Sequence, residues 1–117
     1  MNKPQVLAAL AALAQDNRLD VFRLLVEAGP PGVPAGSVAK ALKLAPNTLT
    51  FHFDRLREAS LVAVRREGRS MIYTAQYDAM NGLIAFLTEN CCRGAAEACG
   101  PLAVCKPASA KRAKVLA

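Results

Sequence analysis

The sequence predicts a mainly α (α+β) fold of five helices and a single β-hairpin. Three observations carry this reading. Apolar residues recur at helical spacing along most of the chain, a stretch dense in Pro and Gly interrupts them at residues 28–36, and the pattern turns β-like after Leu61. With 117 residues the chain is one domain's worth of core, and its Ala- and Leu-rich composition favours helices.

The first helix is expected over about Pro4 to Gln15, with Val6, Leu7, Leu10 and Leu13 at helical spacing. This Ala/Leu run has some likeness to a secretory leader. It continues directly into a second periodic segment, however, so it reads as mature structure and the chain as cytoplasmic. Asn17 is the expected cap of the second helix, with Asp20 three residues on. Leu19, Val21, Phe22, Leu24, Leu25 and Val26 make that helix apolar nearly all round and hence buried. The run "AGPPGVPAG" stops it and forms a rigid turn.

A short helix is expected over Ser37–Leu42, broken at Lys43-Leu44-Ala45 before Pro46 opens the next, where its missing amide hydrogen costs nothing. Leu49, Phe53, Leu56 and Ala59 form a buried stripe on this fourth helix. Thr48, Thr50, His52, Asp54, Arg55 and Arg57 fall largely off it. "VAVRR" and "RSMIYTA" then read as two strands around Glu67-Gly68, with Arg65, Arg66 and Arg69 at the tip. A last helix over about Tyr77 to Asn90 shows Met80, Leu83, Ile84 and Leu87 on one face. Residues 1–90 therefore read as the folded unit, and 91–117 as a cysteine-bearing segment with a basic tail.

Two short helices, a tight turn and an arginine-tipped hairpin make a winged helix-turn-helix. In that arrangement the second helix of the pair enters a major groove and the hairpin reaches the flanking backbone. The net charge of +6 fits an anionic partner. Asn47, Thr48, Thr50 and His52 are the candidates for base edges. Arg55, Arg57, Arg65, Arg66 and Arg69 are the candidates for phosphates. Taken singly, each feature is also what a solvated helix face or hairpin tip carries; their order along the chain is what points to DNA.

The stretches "ALAQDNRLDVFRLL" and "LKLAPNTLTFHFDRLREASLVAVRREGRSMIYTA" resemble the ArsR/SmtB family of metal- and metalloid-responsive repressors, over about Leu7 to Leu87. The resemblance implies a homodimer paired through the first and last helices and bound to an imperfect inverted repeat in double-stranded DNA. It also implies a recognition helix over Pro46–Arg55 and a wing over Arg65–Arg69. The family's usual cap is Ser, followed on the helix by serine-histidine-histidine; Ala45, Thr50, Phe51 and His52 stand in those places here. His52, the chain's only histidine, reads equally as a DNA contact or as an exposed side chain, and one histidine cannot build a histidine-based zinc site.

The family's familiar sensor positions are empty. "GSVAKALKLA", before the recognition helix, holds no cysteine, and Asp78 on the last helix has no histidine partners. All four cysteines, Cys91, Cys92, Cys99 and Cys105, come late in the chain. Sulfur-only ligation favours thiophilic ions over hard ones. Trivalent arsenic takes three thiolates in a trigonal pyramid, so Cys91, Cys92 and Cys99 suffice, an arrangement like that of an arsenic-responsive subset of the family. Arsenite is thus the expected inducer, with antimonite behaving similarly. Zinc prefers a fourth ligand, which Cys105 could supply.

On a straight helix Cys92 and Cys99 would lie about 10.5 Å apart in rise, so the helix must end near Cys91, where Gly94 allows a break. Other readings stay open: a thiol redox switch, a cadmium or lead sensor, and buried or idle cysteines. A thiol enzyme is the weakest, because the chain has no C-x-x-C and no nucleotide-binding glycine motif.

Overall fold

A computed structural model describes residues 1–90; Cys91, Cys92, Cys99 and Cys105 lie outside the described residues. The order of elements is α1 (Lys3–Leu13), α2 (Asp16–Ala28), β1 (Val33–Pro34), α3 (Ala35–Leu42), α4 (Pro46–Glu58), β2 (Val62–Glu67), β3 (Ser70–Ala75) and α5 (Tyr77–Leu87). Five helices and the hairpin thus stand as the sequence predicts. The hairpin gains an edge strand, giving an antiparallel sheet of order β1-β3-β2.

Helix α1 begins with a reciprocal cap. The Gln5 amide donates to the Asn2 side chain (2.9 Å) and the Asn2 amide to the Gln5 side chain (2.8 Å), satisfying two amides that the first turn would leave unpaired. Its buried side is Val6, Ala9 and Ala12, whereas Leu7 and Leu10 are exposed. This departs from the leucine face expected from the spacing. The small alanine side lets α1 approach α2 and α4 closely, and the leucines are left outside. Helix α2 starts one residue before Asn17, capped by the Gln15 side chain, which accepts from the Arg18 amide (2.9 Å). It is not apolar all round in effect: Val21, Phe22 and Leu25 are buried, but Leu19 is exposed.

The Pro/Gly-dense turn holds the edge strand that sequence patterning missed, since two residues carry no period. Val33 pairs with Tyr73, and Pro34 with Ile72. Gly32 makes this approach feasible. It lies at φ +82°, and a Cβ there would stand 2.6 Å from Ile72 Cγ2, 2.7 Å from Thr74 Cγ2 and 2.9 Å from the Tyr73 carbonyl oxygen.

Between α3 and α4, Lys43 takes the left-handed conformation (φ 56°) and the Leu44 amide donates back to the Ala39 carbonyl at 3.0 Å. This helix-ending bond gives the sharp turn of the helix pair. Helix α5 stops at Leu87, earlier than the periodicity implies. The Thr88 hydroxyl donates to the Ile84 carbonyl (2.8 Å) and Asn90 is left-handed (φ 58°). At the other end of α5, the Tyr77 hydroxyl donates to the Val26 carbonyl (3.0 Å), fastening α5 to the end of α2.

His52 corrects the sequence reading. It is buried, at 4% exposure, on the same side of α4 as Leu49, Phe53 and Leu56, and neither ring nitrogen has a hydrogen-bond partner. It stands three residues after Leu49 and four before Leu56, spacings that put it on the buried face. Desolvation, with a smaller contribution from the Arg18 charge, lowers its pKa below the usual 6.5. The unfolded chain therefore takes up a proton that the folded chain resists as pH falls below about 6.5. Stability is full above that value, declines below it, and levels once the folded-state pKa is passed. We expect the unfolding free energy from urea titrations to fall as pH drops below about 6.5, by at most ~1.4 kcal/mol per pH unit, and His52→Leu to flatten that slope. An unchanged slope in the variant would assign the decline to other groups.

Candidate nucleic-acid interface

Pro46 opens α4 at its first turn, and Ala45 provides no side-chain cap. The helix is held by Leu49, Phe53 and Leu56, each 2% exposed or less. Phe53 stacks face to face on Tyr73 of β3, with centroids 3.6 Å apart and planes within 5°. One aromatic pair therefore sets the helix against the hairpin, and the orientation of the wing follows from the burial of the helix.

With that face inward, Asn47, Thr48, Thr50, Phe51, Asp54, Arg55, Arg57 and Glu58 are exposed. Asn47 and Thr48, in the first turn, are placed as the sequence predicts. Thr50 is also outward, but its hydroxyl donates to the Pro46 carbonyl (3.0 Å), so part of its hydrogen-bonding capacity is used within the helix. His52 does not join them. Phe51 does: its ring is 49% exposed, and sequence patterning assigned it no role in reading DNA. The signal was there, since Phe51 follows Asn47 by four residues and shares its face.

The arginines divide by what they already hold. Arg55 Nη1 pairs with Glu58 Oε1 at 2.7 Å, and its guanidinium lies 4.8 Å from the Phe51 ring centroid. Arg57 lies 3.8 Å from Asp54 Oδ1. In the wing, Arg65 donates to Glu67 Oε2 and to the Pro31 carbonyl, both at 2.6 Å, which ties β2 to the turn before β1. Arg66 reaches only the Gly68 carbonyl (3.2 Å). Arg69, at the turn beside Gly68 (φ +63°), has no ion-pair partner among the described residues. Arg66 and Arg69 are the wing cations best placed to meet a phosphate; Arg65 is chiefly a strut.

Beside the wing, an open groove of about 760 Å³ runs between α3 and β3, lined by Ser37, Lys40, Arg69, Ser70 and Met71 among others. It continues the basic surface from the hairpin onto the first helix of the pair. No group of three or more His, Cys, Asp or Glu side chains that could hold a metal occurs among the described residues. No described helix is long and apolar enough to cross a membrane.

Comparison with known proteins agrees with this geometry. A family model described as a helix-turn-helix domain matches residues 13–65, which span α2 through α4 and into β2. The chain is similar to the HTH-type transcriptional regulator YgaV of Escherichia coli (strain K12), 28% identical over 88 residues that cover 75% of this chain and 87% of that protein. Among solved structures, an ArsR-like transcriptional regulator from Rhodococcus sp. RHA1 shares the fold at a TM-score of 0.64 and 24% identity, covering 72% of this chain and 76% of that one. The homodimeric winged helix-turn-helix DNA-binding domain of Mb0332 from Mycobacterium bovis matches with a TM-score of 0.61 and 26% identity, over 74% of this chain and 81% of that one. The chain has a winged helix-turn-helix fold with a helix-turn-helix domain, and these likenesses to transcriptional regulators support its assignment to the ArsR/SmtB family.

Proposed function

We propose that this chain is a homodimeric repressor that binds an imperfect inverted repeat in double-stranded DNA and is released by arsenite, or antimonite, held on Cys91, Cys92 and Cys99. The observation that carries the DNA half is the outward face of α4, with Asn47 and Thr48 in its first turn, next to a wing whose Arg66 and Arg69 are available to phosphate.

Dimerisation is supported by apolar surface that the single chain leaves in water. Leu7 and Leu10, exposed by 57% and 39%, share one side of α1; Ile84 and Leu87, exposed by 39% and 59%, share one side of α5. The two helices pack against each other. A two-fold pairing there would cover them and set the spacing of two α4 helices for successive half-sites. The homodimeric state of the Mb0332 domain is in keeping with this.

The effector half rests on the sulfur chemistry of the sequence. Helix α5 ends at Leu87, three residues before Asn90 and four before Cys91. An ion held on Cys91, Cys92 and Cys99 is therefore close along the chain to the apolar end of α5. Tying down that end biases the dimer toward one spacing of its recognition helices. Release requires only that the ion prefer the spacing that fits DNA poorly, with a coupling of ~1–3 kcal/mol.

Three measurements test this. Leu87→Arg, which places a charge in the proposed pairing surface, is expected to sediment as a folded monomer and to lose operator affinity; a variant that remains dimeric would move the interface elsewhere. Arg69→Ala is expected to lower the slope of log K against log salt by about 0.9 for each phosphate that Arg69 neutralises, whereas Arg65→Ala is expected to act mainly through wing stability. In a gel shift under reducing conditions, arsenite is expected to release the wild-type protein. Cys91→Ser, Cys92→Ser and Cys99→Ser should each bind DNA but ignore arsenite, and release by peroxide alone would favour a redox switch instead.

A further inference from the structure

Phe51 is the large apolar side chain on the outward face of α4. Its neighbours on that face are Asn47 one turn before it and Asp54 and Arg55 one turn after, all exposed. The ring is not loose. The Arg55 guanidinium lies 4.8 Å from its centroid, Arg55 is itself held by Glu58 at 2.7 Å, and the His52 ring lies 5.8 Å away between centroids, tilted by 60°. A buried imidazole and a salt-bridged guanidinium thus position an aromatic ring that is still half in water.

A major groove offers one methyl group to such a ring, the C5 methyl of thymine; the other groups that distinguish base pairs there are hydrogen-bond donors and acceptors. The polar readers around Phe51 are correspondingly few, because the Thr50 hydroxyl donates to the Pro46 carbonyl and Arg55 is engaged by Glu58. We propose that Phe51 is a specificity-determining residue that contacts the methyl group of a thymine in each half-site, with Arg55 acting as the positioning residue that holds the ring. The assignment rests on the reading of α4 as the DNA-entering helix and adds what that helix selects.

The test replaces thymine by deoxyuridine, which removes the methyl and leaves the base-pair hydrogen bonds unchanged. Duplexes are first selected from a random pool by the wild-type protein, and each thymine of the selected site is then replaced in turn. At one thymine per half-site the wild type is expected to lose roughly fourfold in affinity, the transfer value of one methyl group. Phe51→Ala is expected to bind the thymine and deoxyuridine duplexes equally, and Phe51→Leu to keep part of the preference. Equal sensitivity of the wild type and Phe51→Ala to deoxyuridine would overturn the assignment, as would a selected site with no sensitive thymine. Failure of the wild type to bind any duplex would overturn the DNA reading itself, an outcome distinct from either of these.

Discussion

The stacking of Phe53 on Tyr73 joins the two parts of the molecule that must act together. Phe53 sits on the buried side of α4 between Leu49 and Leu56, and Tyr73 is the β3 residue that faces Val64 of β2 and Val33 of β1. A helix and a sheet packed through one aromatic pair cannot rotate independently without unstacking the rings and exposing the core around them. The outward face of α4 and the direction of the wing are therefore a single geometric choice. Gly32 extends the same constraint to the far edge of the sheet, where absence of a Cβ lets the chain pass against Ile72 and Thr74.

The remaining helices serve this unit in different ways. Helix α1 meets the rest of the domain through Val6, Ala9 and Ala12, a narrow surface that favours close approach over large buried area. What α1 and α5 keep outside, Leu7, Leu10, Ile84 and Leu87, is more apolar than a lone domain needs. These exposed side chains are the ones that the proposed pairing would cover. Helix α5 ends at Leu87, four residues along the chain before Cys91.

Much of the fold was legible along the chain, and the failures have physical causes. Long periodic segments, the Pro46 start of α4 and the Glu67-Gly68 neighbourhood of the hairpin turn announce themselves through local chemistry. Two-residue β1 does not, because it exists only by pairing with β3. The exact caps were also missed: Gln15 caps α2 although Asn17 is the better intrinsic capper, because the chain arrives from α1 with Arg18 Nε bonded to the Ala12 carbonyl at 2.7 Å. For the site, Asn47, Thr48, Thr50 and Arg55 are exposed on α4 as their spacing implies, but type misled for two neighbours. Histidine was read as polar and outward and Phe51 was given no role at the DNA face, when the helical period puts His52 inside and Phe51 outside.

The order of helices and hairpin, the basic wing and the concentration of thiols beyond residue 90 all follow from the amino-acid sequence, because each depends on near neighbours or on composition. Folding in three dimensions settles which arginines are already bound, that α1 turns its alanines inward, and that Phe51 rather than His52 faces out. These depend on partners remote in sequence, such as Pro31 for Arg65 and Tyr73 for Phe53. Periodicity defines a face of a helix, but what packs against it selects the face that is buried.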